Sequence, residues 1–117
     1  MEERRRAPRF AESASLNITE VEPPVQAEMK NLSATGVYCA LDRFIPPMTK
    51  LQLHFELPGG TRQTHIRCAG VVVRVDPIVS TESQAHYNTG IYFTQLSDRD
   101  RSAITRFVRQ RVSTQPH

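Results

Sequence analysis

Apolar and polar residues alternate with a period of two in several stretches of the chain. The clearest stretch is residues 50–57, in which every second residue is apolar. Because successive side chains of a strand point to opposite faces, this alternation predicts strands with one buried face. The predicted inward positions are Leu16 and Ile18; Val25, Ala27 and Met29; Val37, Cys39 and Leu41; Leu51, Leu53, Phe55 and Leu57; and Tyr87, Thr89, Ile91 and Phe93. The chain is therefore predicted to be mainly β.

Residues 64–75 form a sixth, longer stretch that is rich in β-branched residues, and its apolar phase changes along its length. The predicted inward set begins as Ile66, Cys68 and Gly70 and ends as Val71, Val73 and Val75. A change of face by one residue requires a β-bulge, which we place at Ala69-Gly70. Pro58-Gly59-Gly60 favours a turn before this stretch, so residues 50–75 are predicted to form a hairpin.

The C-terminal part of the chain has helical periodicity instead. Ser97 is a suitable N-cap, and Asp98 and Asp100 follow in the first turn, where the helix dipole favours acids. Apolar residues then recur at helical spacing at Ile104, Phe107, Val108 and Val112. These patterns together predict a six-stranded antiparallel β-barrel with one C-terminal α-helix. We expect residues 1–12 to be a flexible arm, 13–112 to be the barrel and helix, and 113–117 to be a disordered tail.

Composition places the chain among globular proteins of one domain. It has 117 residues, with 38% hydrophobic and 23% charged residues. Its longest apolar stretch is too short to cross a bilayer, and no apolar segment follows the charged N-terminus, so we expect a cytoplasmic protein without a secretory leader. The two cysteines, Cys39 and Cys68, are too few for a disulfide scaffold and are expected to be buried, reduced thiols.

The basic residues indicate an anionic partner. The net charge is +3, and thirteen of the fifteen basic residues are arginine. Arginine has a planar fork that suits phosphates, carboxylates and guanine edges. A codon bias toward arginine would produce the same excess, so composition alone leaves both explanations open. Two clusters stand out, one at Arg4, Arg5, Arg6 and Arg9 and the other at Arg101, Arg106, Arg109 and Arg111.

Two short segments carry the recognisable chemistry. In the first, Arg5 and Arg9 lie four residues apart in a segment that Pro8 keeps from being helical. In the second, Asn31 and Ser33 are two residues apart on a strand end, so both side chains point to one face, and Gly36 follows. In isolation, a solvated basic tail and an ordinary polar turn would explain these segments.

In this order and at this spacing, the two segments resemble the signature of the PilZ domain family. That signature is RxxxR followed, after twenty to thirty residues, by [D/N]xSxxG. Here 21 residues separate Arg9 from Asn31. The segment 90–93, Gly-Ile-Tyr-Phe, and the C-terminal helix also resemble family features. The resemblance covers nearly the whole chain and implies a stand-alone PilZ protein.

The resemblance implies a bacterial receptor for cyclic di-GMP that is not an enzyme. Arg5 and Arg9 would hold phosphates or guanine edges, and Asn31 and Ser33 would hydrogen-bond a guanine. Gly36 would leave room where the base lies close. Arg4, the residue before RxxxR, favours a stacked pair of ligands over a single one. We expect ligand to order the N-terminal arm, and an unidentified partner protein to bind the surface so created.

Two other functions remain as alternatives. One is a PilZ-like adaptor that binds proteins and not the ligand. The other is a small nucleic-acid-binding barrel with a basic arm, which the low aromatic content of 7% disfavours. Neither a catalytic residue nor a metal site is predicted, since no nucleophile motif or zinc-ligand spacing is present among the cysteines and histidines.

Overall fold

The computed structural model describes residues 14–57, 64–79 and 85–113. They form six strands and one helix: β1 (Ala14–Ile18), β2 (Val25–Leu32), β3 (Gly36–Leu41), β4 (Lys50–Leu57), β5 (Thr64–Val79), β6 (Ala85–Gln95) and α1 (Asp98–Ser113). The strands pair antiparallel in the closed order β1-β2-β3-β6-β5-β4. The predicted six-stranded barrel with a C-terminal helix is therefore confirmed. The predicted arm at 1–12, with Arg4, Arg5 and Arg9, lies outside the described residues, as does most of the predicted tail.

The barrel interior is built from the alternating apolar residues of the strands. Leu16, Ile18, Cys39 and Ile66 are fully buried, and both cysteines are free and buried. Helix α1 adds Ile104 and Phe107 to the same cluster, so its apolar face packs on the barrel. The N-cap prediction is confirmed, because the amide of Asp100 donates to Ser97 Oγ at 3.1 Å. No helix in the described part of the chain is long and apolar enough to cross a lipid bilayer.

The predicted inward set of β5 is wrong at Val73, whereas Val75 packs against the core as predicted. Val72 is fully buried, whereas Val73, predicted inward, is 55% exposed. A bulge does lie at Ala69-Gly70, but these residues pair with Gln95 and Phe93, so its extra residue is Thr94 of β6. The alternation of β5 therefore continues unchanged through Val72.

The change of face on β5 occurs at a second bulge. Val72 pairs with Ile91 and Arg74 pairs with Gly90, which leaves Val73 as the extra residue of β5. The bulge places both Val73 and Arg74 on the outer surface, where both are exposed. It therefore brings a cation to the surface that β3 and β6 share with β5.

A third bulge lies in β2 immediately before the second motif. Met29 pairs with Cys39 and Asn31 with Tyr38, so Lys30 is the extra residue. The inward positions shift from Met29 to Leu32, which is buried. Asn31 and Ser33 therefore lie on the outer side of the strand, with Leu32 turned inward between them. Asn31 and Ser33 thus share one face, as predicted from their spacing, whereas the bulge was not predicted.

Candidate ligand-binding site

The turn that joins β2 to β3, residues 33–36 (the motif turn), is held by its own hydrogen bonds. The amide of Ser33 donates to the carbonyl oxygen of Gly36 at 2.9 Å. Ser33 Oγ accepts from the amide of Thr35 at 3.2 Å and lies 3.0 Å from Thr35 Oγ1. Ser33 is nevertheless exposed. Its Oγ also donates to the carbonyl oxygen of Gly36 at 3.4 Å. The hydroxyl thus serves the turn itself, and a ligand would exchange for one of these exposed contacts.

The motif turn is also held by two residues from the far end of the chain. The amide of Phe93 donates to the carbonyl oxygen of Thr35 at 2.9 Å. Nη1 of Arg101 donates to the carbonyl oxygen of Ala34 at 2.7 Å. Both carbonyl groups are thereby satisfied, so β6 and α1 fix the position of the turn relative to the barrel.

Gly36 is required by the packing of the barrel itself. A Cβ atom there would overlap the carbonyl oxygen of Ile91, across the pair that Gly36 forms with Tyr92. The absent side chain thus lets β3 approach β6 closely. From the family resemblance, we expected Gly36 to leave room for a base of the ligand. The structure shows that the close pairing of β3 with β6 already requires a glycine here, without any ligand.

Asn31 is half-buried beside the turn, and its side chain is oriented by its own strand. Oδ1 accepts from the amide of Leu32 at 3.0 Å. This bond fixes the plane of the side-chain amide and leaves its nitrogen as the available donor group. Of the sequence-predicted site residues, the structure brings together Asn31, Ser33 and Gly36. Arg4, Arg5 and Arg9 lie outside the described residues.

A cleft of about 310 Å³ opens beside the motif turn, on the outer surface of β3, β6 and β5. Besides the motif residues, its lining includes Leu32 of β2 and seven residues within these three strands: Val37, Tyr38, Val73, Arg74, Gly90, Ile91 and Tyr92. Gly90 keeps the cleft open. A Cβ atom there would lie 3.6 Å from Cβ of Arg74 and 3.8 Å from Cδ1 of Tyr38, which is ordinary contact. The cleft therefore offers an open space bordered by aromatic rings and one cation.

The cation of the cleft is oriented by Asp76. Its Oδ2 accepts from Arg74 Nε at 2.8 Å and from the hydroxyl of Tyr38 at 3.0 Å. The Arg74 side chain is 70% exposed, and its terminal nitrogens extend beyond this bond. A guanidinium held through Nε can present its other face and edge to a phosphate, a guanine or a purine ring. Burial, followed by the hydrogen bond to Asp76 and its charge, raises the pKa of Tyr38 above its ordinary value.

Arg74 was not among the site residues predicted from the sequence. The alternation of Val73, Arg74 and Val75 indicates an outward Arg74, but nothing in the local sequence shows that the motif turn lies on the same surface. Gly90 carried a signal of its own, because a glycine within an alternating strand marks a close approach or an open surface.

A second cavity, of about 640 Å³, lies near the start of α1. Its lining includes Gln52, Arg67, Cys68, Ser97 and Arg101 and none of the motif residues. The larger space is therefore separate from the motif turn. Arg101 belongs to this lining and also reaches Ala34, so the two regions share one side chain.

Comparison with known proteins agrees with this geometry. A family model for the PilZ domain matches residues 3–110. No curated protein matches the chain by sequence.

Solved structures share the fold at low identity. The barrel is similar to the inhibitor of motility MotI/DgrA of Bacillus subtilis, with a TM-score of 0.75 and 19% identity over 98% of this chain and 55% of that one. MrkH of K. pneumonia matches with a TM-score of 0.69 and 19% identity over 96% and 52%. The PilZ domain of Escherichia coli YcgR, solved with c-di-GMP, matches with a TM-score of 0.65 and 12% identity over 95% and 93%. The chain thus spans about half the length of MotI and MrkH.

Proposed function

The chain belongs to the PilZ domain family, and on that premise we propose that it is a receptor for cyclic di-GMP. Arg5 and Arg9 of the N-terminal segment and Asn31, Ser33 and Gly36 of the barrel are the residues that we assign to the ligand. The observation that carries the proposal is the motif turn. It is fixed by bonds from β6 and α1, and it opens onto a cleft of about 310 Å³.

The chemistry of the cleft suits the ligand. Cyclic di-GMP has two phosphates and two guanines. The side chains of Asn31 and Ser33 can hydrogen-bond one guanine edge from the barrel surface. Arg74 adds a cation on the other side of the cleft, and Tyr92, at 53% exposed, adds an aromatic face. Arg5 and Arg9 would supply the charge that two phosphates require.

The proposed relay runs through the N-terminal arm, residues 1–12. Ligand held between the arginines and the motif turn would draw the arm against the barrel and create a new surface. A partner protein would then bind that surface. Nuclear magnetic resonance of residues 4–10 tests this step. Spectra that do not change on saturation with cyclic di-GMP would contradict the relay while leaving ligand binding intact.

Isothermal titration calorimetry with cyclic di-GMP tests the receptor function itself. We expect saturable binding by the wild type and a loss of about ten- to a hundredfold in affinity for Arg9→Ala, since one charge-assisted bidentate contact is removed. Arg109→Ala is the matched control, because it removes an exposed arginine from α1 outside the cleft. It should bind like the wild type. Absence of heat with folded wild-type protein would refute the receptor function and favour the adaptor.

A further inference from the structure

Arg101 joins two parts of the molecule that are distant in sequence. It lies in the first turn of α1, and its Nη1 donates to the carbonyl oxygen of Ala34, 67 residues earlier, at 2.7 Å. Hydrogen bonds from a charged donor are shorter and stronger than neutral ones. Ala34 lies between Ser33 and Gly36, so the bond reaches the centre of the motif turn.

The helix end of this connection is firmly anchored. The amide of Arg101 donates to the carbonyl oxygen of Ser97 at 2.8 Å, and Ser97 Oγ caps the amide of Asp100. One turn further, Ile104 is fully buried in the barrel core, followed by Phe107. The backbone that carries Arg101 is therefore part of a packed, capped helix.

The other end of the connection is a turn in which two further carbonyl groups are already engaged. The Thr35 carbonyl accepts from Phe93 and the Gly36 carbonyl accepts from Ser33. A displacement of the turn must either break the bond from Arg101 or move the first turn of α1. Such a connection between two ordered elements is a physical basis for coupling between sites.

We propose that Arg101 is a positioning residue that presets the motif turn and couples it to helix α1. By thermodynamic reciprocity, a ligand that stabilises the turn also stabilises the first turn of the helix. Because Arg101 lines the cavity of about 640 Å³, this coupling ends at a second surface, whose lining includes none of the motif residues. The part that concerns ligand rests on the proposed function, whereas the presetting of the turn does not.

Hydrogen exchange without ligand tests the presetting. Arg101→Ala should raise the exchange rates of the Ser33 and Phe93 amides, which donate to carbonyl oxygens of the motif turn, about fivefold or more, as expected for loss of one hydrogen bond. Arg101→Lys, which keeps a charged donor, should restore much of the protection. Arg106→Ala is the matched control. Arg106 is exposed on the same helix, and it lies about 140° around the helix axis from Arg101. Unchanged exchange in folded Arg101→Ala protein would overturn the proposal.

Titration with cyclic di-GMP tests the coupling. In the wild type, amide resonances of residues 98–101 should shift with the same midpoint as those of the motif turn. In Arg101→Ala, the turn should still shift, with an affinity about fivefold weaker, but residues 98–101 should not. Shifts in both regions of that variant would overturn the coupling. If the wild type does not bind cyclic di-GMP, the receptor function fails, and the exchange experiment decides the role of Arg101 alone.

Discussion

A Cβ atom at Gly36 would overlap the carbonyl oxygen of Ile91, because β3 and β6 pair closely at this point. At Gly90, on the same surface, an added Cβ atom would meet nothing closer than 3.6 Å. The two glycines that border the cleft therefore have different consequences. One permits the pairing of two strands, and the other leaves space on their outer face.

Gly36→Ala is expected to destabilise the barrel. The backbone of Ile91 must shift to admit the methyl group, at a cost of about 1–3 kcal/mol. Denaturant unfolding measures this change. A variant with wild-type stability would contradict this expectation, because it would show that β3 and β6 can move apart here at little cost in free energy.

Gly90→Ala is expected to leave the stability within about 0.5 kcal/mol of the wild type, because the new methyl group has room. It narrows the cleft between Arg74 and Tyr38, so the Kd for cyclic di-GMP should rise about fivefold or more. Calorimetry beside an unfolding curve separates the two effects. Loss of stability with unchanged affinity would place the ligand away from this cleft.

Asn31→Asp should strengthen ligand binding. The carboxylate keeps an oxygen for the amide of Leu32 and presents a charged acceptor to the N–H groups of guanine. We expect an affinity about three- to tenfold higher than that of the wild type. Gln26→Glu is the control, because it adds the same charge at an exposed position of the same strand. An equal gain in both variants would indicate a general effect of charge.

Arg4→Ala should change the number of ligands bound per chain. If Arg4 holds the second molecule of a stacked pair, calorimetry should give a stoichiometry near two for the wild type and near one for the variant. Arg6→Ala removes a neighbouring arginine outside the motif and should retain two. A wild-type stoichiometry of one would contradict the assignment of Arg4.

The strands and helix were predictable because burial enforces their periods. Each strand of this barrel has one face in the core, so apolar residues recur every second position, and the helix follows its own period. The failure at Val73 has a specific cause. Val71, Val72 and Val73 are all apolar, so their sequence carries no information about which of them points inward. The register of β5 against β6 decides which of the three valines is buried.

The site was predictable only where its residues are close in sequence. Asn31, Ser33 and Gly36 form one local motif. Tyr38, Arg74 and Gly90 meet because β3, β6 and β5 are neighbours and because one residue of β5 bulges out. A shift of register by one residue reverses every side chain of a strand. Local sequence patterns therefore could not have predicted that Arg74 lies in the same cleft as the motif residues.

Alkaline pH should destabilise the protein through Tyr38. Its pKa in the folded state is raised above the ordinary value of about 10, chiefly by burial and then by Asp76. The folded state thus holds the proton more tightly than the unfolded state does. The resulting stability is fully present below the unfolded pKa and is lost as the pH rises through the folded pKa.

Asp76→Ala isolates the contribution of the carboxylate. Removing the hydrogen bond and the negative charge should lower the pKa of Tyr38, because both raise it in the wild type. Ultraviolet titration of the phenolate measures the pKa, and Tyr38→Phe identifies the titrating group. An unchanged titration curve would contradict the contact between Tyr38 and Asp76.

The thiols should be nearly inert in the folded protein. Burial raises the pKa of Cys39 to about 12, and burial together with the charge of Asp100 does the same for Cys68. At pH 8 the thiolate fraction is then lower by about a thousandfold than for an exposed cysteine. A disulfide reagent should modify both only after unfolding. Rapid modification of Cys68 in folded protein would show that the reagent reaches it through the cavity of about 640 Å³ that it lines.

The hydrogen bonds from Phe93 and Arg101 to the motif turn also determine when, during synthesis of the chain, the turn can reach its final structure. Asn31 and Ser33 emerge from the ribosome early, whereas Phe93 and Arg101 follow about sixty residues later. At roughly 5–20 residues per second, several seconds separate the two events. A nascent chain therefore carries the motif before it has the partners that shape it. The finished turn belongs only to a chain whose last strand and helix have folded.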